Sequence, residues 1–158
     1  MKILLSIFVS LVVVGCATIY PASGIKPPSI ESHHPVSNYA IAIIQESETI
    51  NSTLVTTGVG YTKSTNPASL ISGALLKRGV SRVYDIPDKN RDKLLLVTWG
   101  ISGTRNIGIL GDYSQEVSIL MRQADNLSTV YKCTAEGIGS TEADDIREAI
   151  FSCLKGLQ

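Results

Sequence analysis

His33 and His34 stand just after Glu31, and they are the only histidines in the chain. Neighbouring histidines can bind a metal, but a catalytic zinc takes three protein ligands held rigidly, and this cluster lies among Pro27, Pro28 and Pro35. It reads as solvated linker. With both imidazoles there, a Ser-His-Asp or Cys-His arrangement elsewhere in the chain has no histidine base. "GVGYTKST", Gly58 to Thr65, has the flavour of a phosphate-binding loop. Such a loop needs glycine immediately before its lysine so that the backbone can wrap phosphate; here Thr62 precedes Lys63, and a strand end with a turn is the better reading. Asp144 and Asp145 are neighbours, but adjacent helix positions point about 100° apart, and acids in a first turn are accounted for by the positive end of the helix. These residues imply no catalytic set, no metal site and no cofactor.

The residue that does point to chemistry is Cys16. Residues 1–15 carry one charge, Lys2, followed by an apolar or small run from Ile3 to Gly15. That run is shorter than the roughly 20 apolar residues a membrane-spanning helix needs, and it has the parts of a secretory signal peptide. Val13-Val14-Gly15-Cys16 resembles the lipobox of bacterial lipoproteins, with Val13 where leucine is favoured. The resemblance covers the first 17 residues. It implies cleavage before Cys16, lipid on its sulfur and nitrogen, and a place in the bacterial envelope, with Ala17 favouring sorting to the outer membrane. Each buried methylene contributes about 0.8 kcal/mol, so three acyl chains hold a protein durably. Cleavage at a neighbouring small residue such as Ala17, leaving a secreted protein, is the alternative.

An oxidising envelope changes how the other cysteines are read. Cys133 and Cys153 form an even pair there, favouring a disulfide over a metal site, with two buried free thiols as the alternative. Lysine plus arginine equals aspartate plus glutamate at 14 each. No basic excess points to nucleic acid or to anionic lipid. A hydrophobic content of 44 % with 18 % charge fits one globular domain.

The elements that must position these residues follow from pattern. Residues 16–38 hold four prolines, Pro21, Pro27, Pro28 and Pro35, with no apolar periodicity; they read as a lipidated cysteine and a tether, at about 3.1 Å per residue spanning up to roughly 60 Å. The domain is expected over 39–158. "YAIAIIQES" reads as a buried strand and "STLVTTGVGYT", residues 52–62, as a second, weaker one. Asn66 as cap, Pro67 in first position and Gly79 as terminator mark a helix whose Leu70, Ile71, Ala74 and Leu75 share a face. "VSRVYDI" is a short strand, and "KLLLVTWGIS" is a strand with Val97, Trp99 and Ile101 on one side. "YSQEVSILMR" and "LSTVYKCTAEG" alternate apolar with polar, as antiparallel strands covered on one face do. A final helix is expected from Glu142 to Lys155, capped by Thr141, with Ile146, Ile150, Cys153, Leu154 and Leu157 as its stripe. The fold class expected is α+β: an antiparallel sheet of four to six strands with two helices on one face.

Between two of those strands lies "GTRNIGILGD", in which Arg105 and Asn106 could meet an anion. Ile107, Ile109 and Leu110 either fold back on the core or contact a partner, because exposed apolar clusters usually signal interaction. The resulting expectation is a non-enzymatic, lipid-anchored envelope protein. It would bind another envelope component or assist assembly, touching the membrane through its lipid and no nucleic acid. A periplasmic small-ligand or glycan binder is the alternative, and an enzyme comes third.

Overall fold

In this computed structural model the described residues are 25–56, 58–107 and 113–157. They form strands β1 (Ser29–Ser32), β2 (Ile41–Ile44), β3 (Ile50–Thr56) and β4 (Val59–Thr65), helix α1 (Pro67–Leu76), strands β5 (Ser81–Arg82), β6 (Leu94–Asn106), β7 (Tyr113–Gln123) and β8 (Thr129–Gly137), and helix α2 (Glu142–Lys155). A six-stranded sheet has the order β1-β8-β7-β6-β2-β5, and β3 pairs with β4 in a separate two-stranded unit.

The α+β class and the two helices match expectation, but the sheet is mixed rather than antiparallel. β6, β7, β8 and β1 are antiparallel neighbours, whereas β2 runs parallel to both β6 and β5. The reason lies in the connection from β2 to β5. It passes through the β3–β4 hairpin and α1, and a crossover of that length returns the chain in the same direction. Continuous apolar runs such as Ile41–Ile44 suit this environment.

Register places the large side chains on one face. Ile44, Val97, Met121 and Tyr131 form one row across four strands, and Trp99, Ile119 and Cys133 another. α2 packs over β7 and β8, and α1 lies beside it toward β2 and β5. Caps fix both helices: Asn66 accepts from the Ser69 N–H, and Thr141 from the Asp144 N–H. Gly79, at a φ of 81°, closes α1 in the left-handed conformation, and the Val80 N–H returns to the Leu75 carbonyl, a common glycine stop.

Three boundaries differ from the sequence reading. Residues 52–62 are two strands, because the chain reverses at Gly58, whose φ of 79° turns it. β6 runs on through Thr104, Arg105 and Asn106, paired with Gln115, Ser114 and Tyr113, so the first part of the glycine-rich connection is strand. The segment read as tether joins the fold well before Tyr39. Ser29–Ser32 pairs with Thr134–Tyr131, and Val36 is buried in the core. β1 escaped notice because it is an edge strand with four exposed side chains, held by its main chain rather than by an apolar stripe. Cys16 lies outside the described residues, as do Ile109 and Leu110.

Candidate functional site

The acidic pair is divided between two structural tasks. Asp144 accepts from Ser140 Oγ and pairs with Lys63 Nζ at 3.1 Å. The Ser140 hydrogen bond, ahead of the ammonium of Lys63, holds its carboxyl below the ordinary range. Asp145 is buried and accepts from the Gly139 N–H; burial raises its carboxyl, and that hydrogen bond opposes the rise. Lys63, the lysine of the phosphate-loop lookalike, thereby ties the hairpin to the start of α2. His33 lies 2.8 Å from Glu31 on the exposed edge strand.

Arg105 is engaged inside the molecule. Its Nε and Nη2 reach the two carboxylate oxygens of Glu136 at 3.0 and 2.6 Å. The Lys26 N–H adds a bond at 3.0 Å, and Lys26 Nζ lies 3.5 Å away. The Glu136 side chain is only 3 % exposed, so the charge is desolvated but fully partnered. Chiefly the Arg105 hydrogen bond holds its carboxyl down to about 2. Sequence reasoning picked Arg105 for an anion and found one, but that anion is the protein's own. Ile107, two residues on from Arg105, is partly buried. Glu136 was missed, since a carboxylate at the end of an alternating strand gives no hint of a cation two strands away.

Cys133 and Cys153 form a disulfide linking β8 to α2, with a Cα–Cα distance of 5.6 Å. The pairing fits the register, since Cys133 faces the helix layer and Cys153 sits on the buried stripe of α2. Beside the bridge Tyr131 donates its hydroxyl to the Cys153 carbonyl, and burial pushes its phenol up to about 12.

Concave surface appears between the helices. α1 and α2 lie side by side, and Arg78, just past α1, donates to Ala74 O on its own helix and to Leu154 O and Leu157 O at the end of α2. The guanidinium thus meets the negative ends of both helices. Below it lies a groove of about 640 Å³. Leu70, Ala74, Phe151 and Leu154 give it an apolar floor, while Lys77 and Lys155 stand at its rim. Gly73 leaves the α1 side open, because no atom lies within 4 Å of where its Cβ would be. Such a surface can hold a small apolar molecule or an amphipathic segment. The sequence reading placed Leu70, Ala74 and Leu154 on helix faces and left Phe151 out.

No protein family and no curated protein matches this sequence. Among solved structures, the PelC dodecamer from Paraburkholderia phytofirmans is similar at 11 % identity over 82 % of this chain and 94 % of that one, with a TM-score of 0.46. A single-substitution variant of that dodecamer is similar at 14 % identity over 83 % of this chain and 99 % of that one, with a TM-score of 0.44. Function therefore rests on this chain's own residues.

Proposed function

We propose that this chain is a lipid-anchored bacterial envelope protein that works by binding another envelope component rather than by catalysis. The observation that carries this reading is the allocation of its three cysteines. Cys133 and Cys153 are joined, and disulfides persist in oxidising compartments. Cys16, closing an apolar leader, is left for lipid. The non-enzymatic part is supported by the way Asp144, Asp145, Lys63 and Arg105 are each committed to a partner within the fold. The interhelical groove is the surface proposed for binding. Its volume also suits a small ligand, and that observation sustains the second reading, a periplasmic ligand or glycan binder.

Two measurements test the proposal. A fatty-acid analogue fed to cells should label the wild-type protein and not Cys16→Ala; label on the variant would overturn the anchor. Capture from detergent-solubilised envelopes should recover a protein partner with wild type and lose it with Phe151→Glu, a change at a partly exposed groove residue. Equal recovery would remove the groove from the proposal. A small molecule retained in native mass spectrometry, with no protein partner, would favour the second reading.

A further inference from the structure

The β3–β4 hairpin leaves the body of the domain in a definite direction. Its contacts descend α2: Arg147 donates to the Ser64 carbonyl, Lys63 pairs with Asp144, and Ser52 Oγ accepts from the Ala143 N–H. Ala143 lies in the first turn of α2, so the residues beyond Ser52 and Lys63 continue past the helix start. At about 3.3 Å per residue they project by on the order of 13 Å. This tip is apolar and exposed. Leu54 pairs across the strands with Tyr61, and Val55, Val59 and Tyr61 are 70, 50 and 56 % exposed.

The chain also enters the domain at this end. Lys26 is held on Glu136, next to Gly137, and Gly137 lies so close to Asp145 and Ala149 that a Cβ there would collide with their main chain. The Lys26 clamp, the first turn of α2 and the hairpin tip therefore share one end of the molecule. If Cys16 carries the lipid, only residues 17–25 separate it from that clamp, a reach of at most roughly 36 Å.

We infer that the tip of the β3–β4 hairpin, through Leu54, Val55, Val59 and Tyr61, is a second contact with the lipid surface. This rests on the lipid-anchor reading, which supplies the bilayer beside that end. A tyrosine among aliphatic side chains suits the headgroup boundary, where its ring is buried and its hydroxyl stays wet. The outer edges of a two-stranded ribbon carry unpaired main-chain groups, which hydrocarbon does not satisfy. The tip therefore rests in the interface and does not cross it.

The test uses the full lipidated protein in phosphatidylethanolamine–phosphatidylglycerol vesicles. Cys16 is capped by lipid and the other cysteines are bridged, so Val59→Cys supplies one thiol for an environment-sensitive fluorophore. Asp88→Cys, on the exposed loop before β6, serves as the control. The expected result is co-flotation with vesicles, a blue shift at position 59 with quenching by brominated lipid, and neither change at position 88. Co-flotation with a wet probe at position 59 would overturn the hairpin contact and leave the anchor standing. Failure to co-float would overturn both. A blue shift that needs no vesicles and grows with protein concentration would assign the tip to a second copy of the chain and overturn the lipid contact.

Discussion

Glu136 is a buried charge with partners on both carboxylate oxygens, and its chemistry gives a pH signature. The guanidinium of Arg105, with the Lys26 N–H and ammonium, favours the carboxylate and brings its pKa to about 2 from an ordinary 4.5. A depressed folded-state value means that the unfolded chain takes up the proton first as pH falls. The contribution to stability is therefore complete above about pH 4.5 and is lost as pH drops through about 2. Urea midpoints measured across this window should fall for wild type more steeply than for Glu136→Gln, which has no proton to bind there. Parallel curves would show that the pairing adds nothing to the fold. Position 136 also shows what strand alternation cannot reveal: the pattern placed an acid near a strand end, but its partners arrive from β6 and from the segment ahead of β1.

At the scale of elements, the C-terminal half of α2 is held by a disulfide and by a guanidinium. The Cys133–Cys153 bridge, of sequence separation 20, ties it to β8, and closing a loop of that size stabilises by roughly 3 kcal/mol in the chain-entropy account. The double variant Cys133→Ala, Cys153→Ala should lose about that amount in denaturant unfolding, while alkylation of the denatured, unreduced protein should find neither thiol. Arg78 supplies the guanidinium, bonded to Leu154 and Leu157. Hydrogen bonds from a charged donor contribute about 1.5–3 kcal/mol, so Arg78→Ala should destabilise by about 1–3 kcal/mol, and lysine, lacking the fork, should restore only part. A loss under about 0.5 kcal/mol would mean that water replaces the guanidinium freely. Both helices were legible because Asn66, Pro67, Gly79 and Thr141 are local signals. Gly156 follows α2 at an ordinary φ of −81°, and a Cβ there would meet the Ile30 side chain. Strand direction was not legible, since "IAII" is equally apolar whichever way its neighbours run. The interhelical groove depends on two helices far apart in sequence lying side by side, which no local pattern encodes.

Across the whole molecule the two ends differ. Lys26, the start of α2 and the hairpin tip occupy one; the other holds the helix C-termini, with Arg78 between them and Lys77 and Lys155 at the groove rim. In the proposed anchored state the first end faces lipid and the cationic end of the groove points away from it, open to a partner. A full-chain balance of 14 positive and 14 negative residues gives no long-range electrostatic pull toward anionic lipid. Membrane residence should then depend on the acyl chains, with the hairpin setting orientation. Cys16→Ala should accordingly move the protein from the membrane fraction to the soluble envelope fraction. The described fold begins after that site and makes its first charged tie at Lys26, so the denaturant midpoint of the variant should match that of detergent-solubilised wild type within the roughly 0.5 kcal/mol expected of a substitution away from the core. Fractionation and unfolding curves on one preparation separate the outcomes. Retention at the membrane with residues 1–15 removed, as intact mass would show, would make the hairpin or a partner the principal anchor, and release with a large loss of stability would mean that residues ahead of Lys26 belong to the folded domain.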